Sequence, residues 1–122
     1  MASTSPPTIQ PAAIGASVTA DYHNRRLTLV NDHEVRLSVM TGGFDWHSHP
    51  DSDELFIGVE GELVIEFEDR TCVLRPGEML AVPRGVIHRT RPAAGRSVNL
   101  TVERTDAETR FIGDAPGAST DE

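Results

Sequence analysis

Residues 46–61 read WHSHPDSDELFIGVEG, and this stretch carries the two patterns that decide the fold. His47 and His49 are two residues apart, so on an extended strand both imidazoles lie on one face, with their Cα atoms about 6.5 Å apart. Residues 50–53 are turn-forming, and the apolar run at residues 55–57 follows them. The stretch therefore predicts a strand, a turn and a second strand, with two imidazoles close enough to bind one ion.

The same two-residue period continues outward from this stretch. Apolar residues alternate with mainly polar ones at residues 35–39, 63–67 and 98–102, which is typical of half-buried strands. Turn signals separate the segments at intervals of roughly 8–12 residues, and no segment predicts a helix of three turns. We predict an all-β protein, built as an antiparallel sandwich or a closed barrel.

The length allows one domain. The chain has 122 residues, and both of its ends are rich in small and polar residues that bury little apolar surface. We predict a flexible N-terminal tail at residues 1–13, a β-domain at residues 14–112 and a flexible acidic C-terminal tail at residues 113–122. Alternatively, part of the N-terminal arm pairs with a neighbouring subunit.

The composition excludes several classes of protein. The chain has 19 acidic and 11 basic side chains, a formal net charge of −8 and no lysine. The missing lysine excludes Schiff-base chemistry and the phosphate-binding P-loop, and the acidic balance argues against nucleic acid as a partner. We find no signal peptide and no apolar stretch near the ~20 residues of a membrane helix, so we predict no membrane partner. The lone Cys72 permits no intrachain disulfide, and we expect a cytoplasmic protein.

Four side chains are candidate metal ligands. Glu54 follows the histidine pair and offers a hard oxygen ligand beside two imidazoles, and His88 follows a Pro-Arg-Gly turn at residues 83–85. Asp53 is the alternative carboxylate, because adjacent strand residues face opposite sides and only one of the two can point inward. The four candidates are His47, His49, Glu54 and His88.

These residues and their spacing resemble the two motifs of the cupin family, G-x5-H-x-H-x3,4-E-x6-G and G-x5-P-x-G-x2-H-x3-N. The histidine pair is followed by four residues, Glu54, six residues and Gly61, and the second motif runs from Gly77 to His88. The chain departs from the motifs at Thr41, where the family has glycine, and at Pro92, where it has asparagine. The resemblance covers roughly residues 27–104, and neither departure falls on a metal ligand of the family.

The resemblance implies a single-domain jelly-roll β-barrel whose metal is held by His47, His49, Glu54 and His88. The spacing to Gly61 favours Glu54 over Asp53. From backbone geometry we expect Gly61 to adopt a positive φ, in a tight hairpin between residues 56–57 and residues 63–65.

Three imidazoles and one carboxylate suit a divalent transition metal: Mn, Fe, Ni, Co or Zn. An octahedral ion keeps two positions open, whereas four-coordinate zinc keeps none unless a ligand is released. The ligand set does not identify the metal. No catalytic residue outside it is predicted.

The resemblance extends to small one-domain cupins grouped with sugar-phosphate isomerases, through residues 53–61 and 74–78. It implies a small-molecule substrate and isomerase-, lyase- or oxygenase-like chemistry at the metal. The alternative is a non-catalytic binding or sensing module with a structural metal, and a third possibility is a barrel stabilised by its ion alone. Arg25, Arg26 and Arg36 are candidates to bind a carboxylate of the substrate. By resemblance, and because open sheet edges are commonly covered, we also expect a homodimer.

Overall fold

The fold is described from a computed structural model of the chain, which describes residues 5–112. The predicted acidic tail at residues 113–122 therefore lies outside the described residues. One helix and ten strands follow in order: α1 Pro11–Ser17, β1 Tyr22–Val30, β2 His33–Met40, β3 Phe44–Ser48, β4 Glu54–Glu60, β5 Leu63–Phe67, β6 Thr71–Leu74, β7 Met79–Val82, β8 His88–Pro92, β9 Ser97–Arg104 and β10 Arg110–Phe111.

The ten strands form two antiparallel sheets that enclose the interior of the domain. Sheet A has the order β1-β2-β9-β4-β7, and sheet B has the order β10-β3-β8-β5-β6. Strands that are neighbours in sequence often belong to different sheets, as β3 and β4 do, so the chain crosses repeatedly between the two layers. This is the double-sheet arrangement of a jelly roll, and the all-β jelly-roll prediction is confirmed.

Gly61 shows one correct and one wrong expectation. It has the predicted positive φ, 68°. The predicted hairpin around it is wrong, because β4 pairs with β7 and β9 in sheet A whereas β5 pairs with β6 and β8 in sheet B. Gly61 instead turns the chain from one sheet to the other, and its Cα lies so close to the backbone oxygen of Arg96 that a Cβ would overlap that atom.

The apolar residues form two separate clusters. One cluster fills part of the space between the sheets. The other lies on the outer face of sheet A, where Leu37, Val39 and Val98 are covered by Ile14 of α1 and by Val18 just after it. The inner cluster consists of Met40, Phe56, Leu63, Ile65, Leu74 and Val82.

Helix α1 closes the outer cluster. It begins at Pro11, inside the segment predicted as a tail, and its Gly15 packs directly against Val98. Arg96 fixes the end of the helix by donating hydrogen bonds to the backbone oxygens of Gly15 and Val18. Within residues 5–112, no helix is long and apolar enough to cross a membrane.

Because Leu37, Val39 and Val98 face the outer cluster, the alternate side chains of β2 and β9 face the interior. Ser38 and Asn99 are directly opposite each other on this inner face, as are Arg36 and Thr101. The interior of the domain is therefore apolar in one part and polar in another. The polar part is where the candidate site lies.

We expect Gly61→Ala to destabilise the domain by about 2 to 5 kcal/mol, since it adds a steric clash to an unfavourable φ. Gly95→Ala is the matched control, because Gly95 also has a positive φ, 62°, but open space at its Cβ position. Its cost should stay near 1–2 kcal/mol. Chemical denaturation of both variants measures the difference, and equal losses would show that the contact with Arg96 does not matter.

Candidate metal centre

The four predicted ligands meet at one point between the two sheets. His47 near the end of β3 and His88 at the start of β8 are directly paired neighbours in sheet B, although 41 positions separate them in the printed sequence. His49 follows β3, and Glu54 begins β4 in the opposite sheet. All four side chains are buried, and each offers one ligand atom within 4.8 Å of the others.

Each imidazole is oriented by a backbone carbonyl. The Nδ1 atoms of His47, His88 and His49 lie 2.7, 2.9 and 3.0 Å from the carbonyl oxygens of Asp45, Val86 and Glu108, respectively. Because a carbonyl oxygen only accepts, each Nδ1 carries a proton and donates it. The Nε2 atom of each ring is then left with a lone pair in the neutral state, and such support is usual for histidines that bind metals.

This arrangement fits a cation. Glu54 Oε1 lies 3.1 Å from His49 Nε2 and 3.2 Å from His88 Nε2, so lone pairs from a carboxylate and two imidazoles converge with no protein donor among them. Such a cluster of buried acceptors is stable only with a proton or a metal ion at its centre. Three nitrogens and one oxygen are a donor set that divalent transition metals accept.

The pKa values of the site show where a proton goes when no metal is bound. Burial alone lowers the pKa of His49, but its contact with Glu54 and the charges of Glu54 and Glu103 outweigh burial and raise the pKa to about 9. Burial alone raises the pKa of Glu54, but the contacts with His49 and His88 hold it well below the usual carboxyl value. A proton on His49 thus takes the place of a cation beside Glu54.

The environment of His47 has the opposite effect. Burial, followed by the neighbouring His88, lowers the pKa of His47 to about 4. This imidazole is therefore neutral over the physiological range, with its Nε2 lone pair available as a ligand.

Glu103 belongs to the site, and the sequence analysis missed it. It lies on the inner face of β9, with one carboxylate oxygen 3.8 Å from His49 Nε2. Burial, and then the charge of Glu54, raise the pKa of Glu103 to about 7. The polar alternation of Asn99, Thr101 and Glu103 along β9 was visible in the sequence, but it did not show that this face points inward.

A cavity of about 240 Å³ adjoins the cluster. His47 and His49 form part of one wall, and the wall opposite consists of Glu54 and other side chains of sheet A, many of them polar. Of the three arginines predicted to reach a carboxylate, only Arg36 lines the cavity. Arg25 is paired with Leu37 on the outer face of sheet A, and Arg26 donates to Glu34.

The choice between the two carboxylates follows the expected alternation. Glu54 points inward to the histidines, whereas Asp53 is exposed and accepts a hydrogen bond from the backbone nitrogen of Arg84. Asp53 thus helps to fix the turn before His88 and takes no part in the cluster.

Comparison with known proteins agrees with this geometry. A family model described as the cupin domain matches residues 33–102, more than half of the chain. This chain belongs to the cupin family. An uncharacterised protein of Bacillus subtilis (strain 168), YdbB, is 51% identical over 105 residues, which cover 85% of this chain and 92% of that protein.

Solved structures share the cupin fold. A cupin-2 domain protein from Shewanella frigidimarina NCIMB 400 is 32% identical with a TM-score of 0.73, covering 79% of this chain and 93% of its own. Protein NMB1881 from Neisseria meningitidis is 26% identical with a TM-score of 0.71, covering 81% of this chain and all of its own, 100%. The similarity spans nearly the whole length of each of these relatives.

We expect the purified His47→Ala and His88→Ala variants each to contain less metal per chain than the unmodified protein. Elemental analysis measures this metal content. Removing a ligand from the centre should weaken metal affinity by more than the roughly 10- to 100-fold cost of losing a residue that only supports a ligand. His33→Ala is the matched control, because His33 is half-exposed and contacts Asp32 outside the cluster. Full metal stoichiometry in both test variants would mean that the ion, if any, binds elsewhere.

Proposed function

We propose that this cupin binds a small oxygen-rich molecule in the cavity beside a divalent transition-metal ion and catalyses its conversion. The ion is held by His47, His49, Glu54 and His88. One observation carries the proposal: the cavity opens directly onto three of these four side chains, so a molecule inside it reaches the ion. The cavity is smaller than the ~300–1,000 Å³ typical of drug-sized ligands, which favours a small substrate.

The open wall argues against a metal with a purely structural role. Structural sites are closed by protein ligands on all sides, whereas catalytic sites keep a position accessible to substrate. His88 is fully buried, but His47, His49 and Glu54 face the cavity. The non-catalytic module remains the second candidate, since the same opening also serves ligand capture.

A divalent ion held here supplies a Lewis acid that polarises a carbonyl or hydroxyl oxygen of the substrate. The chain's own contribution is proton transfer and orientation. One carboxylate oxygen of Glu103 lies at the edge of the cluster and has no hydrogen-bond partner among the described residues. In an isomerase- or lyase-like reaction, this oxygen is placed to accept or donate the proton that moves. Asn99 and Thr101, on the same strand face, offer polar atoms that orient the substrate.

The experiment is to incubate the metal-loaded protein with a panel of small sugars, hydroxy acids and oxo acids while following substrate and product by ¹H NMR. We expect conversion of at least one compound, lost in His88→Ala and slowed about 100-fold or more in Glu103→Gln, whose metal content should be unchanged. Arg91→Gln is the control, because Arg91 is exposed on β8 away from the cavity.

The outcomes separate the two candidates. Binding without conversion would favour the non-catalytic module, whereas an absence of binding would contradict both. Loss of metal from Glu103→Gln would indicate that Glu103 is a metal ligand and not the group that transfers the proton.

We also propose that the protein is a cytoplasmic homodimer that pairs along β1. This strand is a nine-residue edge of sheet A, and Tyr22, Leu29 and Val30 are exposed on it. Exposed apolar edges of this length are usually covered by another strand. The lone Cys72 suits a reducing compartment.

Light scattering coupled to size exclusion should give the mass of two chains, and Leu29→Asp should shift it to one. Val73→Asp is the control, since Val73 is an exposed apolar residue on β6 in the other sheet. A monomeric wild-type protein would remove the dimer proposal and leave the site unaffected.

A further inference from the structure

We propose that the wall of sheet A facing the histidine cluster is a recognition site for a small hydroxy carboxylic acid, in which Arg36 binds the carboxylate and Asn99 accepts a hydrogen bond from the hydroxyl. This inference rests on the proposed function, because it names the class of molecule that the cavity takes. It concerns residues on β2 and β9 that are not part of the four-ligand cluster.

Arg36 is held in place with donors to spare. It is the one arginine lining the cavity within residues 5–112. Its Nε donates to Asn24 Oδ1 at 2.6 Å, and its Nη1 donates to Glu34 Oε1 at 3.2 Å. A guanidinium has five N–H donors, so these two bonds fix its orientation and leave the others for a ligand. A planar fork of this kind matches a carboxylate.

Arg36 shares its carboxylate partner with a second arginine. Glu34 is buried, and the same Oε1 also accepts from Arg26 Nε at 2.9 Å. Two guanidinium groups therefore share the Glu34 carboxylate, and the Arg26–Glu34–Arg36 group taken by itself carries one positive charge in excess. Glu103, which pairs directly with Glu34 on the neighbouring strand, adds a further carboxyl group to the same wall. A ligand carboxylate at Arg36 neutralises that positive charge inside a partly enclosed cavity, where electrostatic interactions are stronger than in water.

Asn99, on the same wall, has a buried amide oxygen without a hydrogen-bond donor in the described part of the chain. Only 1% of the residue is exposed, it lines the cavity, and its Oδ1 has no hydrogen-bond partner within residues 5–112. A buried amide oxygen without a donor is costly, so the position calls for a group that brings an O–H or N–H. A hydroxyl fits it, whereas a carboxylate oxygen would meet another acceptor.

The strand register sets the size of the ligand. Arg36 pairs with Thr101, and Ser38 pairs with Asn99, so Arg36 and Asn99 are diagonal neighbours about 7–8 Å apart at their Cα atoms. Glu54 lies on β4, which is two strands from β2, or about 10 Å across the sheet. The side chains point into the cavity, so the distance that a ligand must span is shorter than these backbone distances. A molecule that contacts Arg36, Asn99 and the histidine cluster together therefore has a short carbon chain, of about three to six carbons.

The test uses matched compounds that differ by one group. Lactate is compared with propane-1,2-diol, which lacks the carboxylate, and with propionate, which lacks the hydroxyl; glycerate and gluconate are compared with glycerol and glucitol. Dissociation constants are measured by NMR titration of the protein as purified and again after removal of metal by chelation.

We expect at least one hydroxy acid to bind at least about tenfold more tightly than its polyol, because a charge-assisted fork is lost in the polyol. Arg36→Gln should bring that ratio close to one, and Arg36→Lys, which keeps the charge without the fork, should give an intermediate value. Asn99→Leu, which removes the acceptor at similar volume, should abolish the preference of lactate over propionate. Arg91→Gln should change neither ratio, and thermal melting shows which variants remain folded.

Polyols that bind as tightly as the acids would overturn the inference, as would sugar phosphates without a carboxylate that bind more tightly. An acid preference that persists in Arg36→Gln would overturn it as well. Acid preference retained after metal removal would support the subsite while showing that the ion is not required for binding. If no compound of either kind binds, the proposed function fails and this inference fails with it.

Discussion

Three hydrogen bonds from histidine Nδ1 atoms to backbone carbonyls hold the whole site in its geometry. The carbonyl acceptors come from different parts of the chain: Asp45 lies in β3, Val86 lies in the turn before β8, and Glu108 lies just before β10. Each bond fixes both the tautomer and the direction of one ring, so that the three Nε2 lone pairs point to a common centre. Because the acceptors are backbone atoms, the site is as rigid as the barrel around it.

The segment that leads into the last described strand orients one of the clustered histidines. Glu108 accepts the proton of His49 Nδ1, and its own N–H donates to Asp51 Oδ1 at 3.0 Å. Phe111 follows on β10 and packs near Phe44, with 5.6 Å between ring centroids. The His49–Glu108 contact joins positions 59 residues apart, so the orientation of the His49 ring depends on the chain closing the edge of sheet B. The geometry of the centre therefore depends on long-range contacts and not on local structure alone.

The sequence predicted the four clustered side chains partly from local spacing and partly from the resemblance to the two cupin motifs, which supplied His88 and favoured Glu54 over Asp53. A two-residue repeat puts His47 and His49 on one face, and alternation excludes Asp53 once Glu54 is inward. What the sequence could not show is which face of a strand is inside. On β2 and β9 the apolar residues were natural candidates for the interior, yet Leu37 and Val98 face outward because α1 covers them. Glu103 was missed for this reason, and the partners of β4 and β5 escaped prediction because pairing between distant strands leaves no mark on local spacing.

On β2 and β9, apolar side chains face outward and polar side chains face inward. This orientation leaves room for a polar cavity in a small domain. A barrel of this size with apolar side chains on every inward face fills its own interior, as the cluster around Ile65 does in one part. By placing a second apolar cluster outside sheet A, the chain keeps the stability of buried Leu37, Val39 and Val98 while its inner wall carries charged and amide groups. Buried polar atoms without a partner among the described residues, such as Asn99 Oδ1, reduce stability, and such costs are typical of functional sites. Helix α1, which the sequence analysis did not predict, is thus the element that allows sheet A to face the cavity with polar side chains.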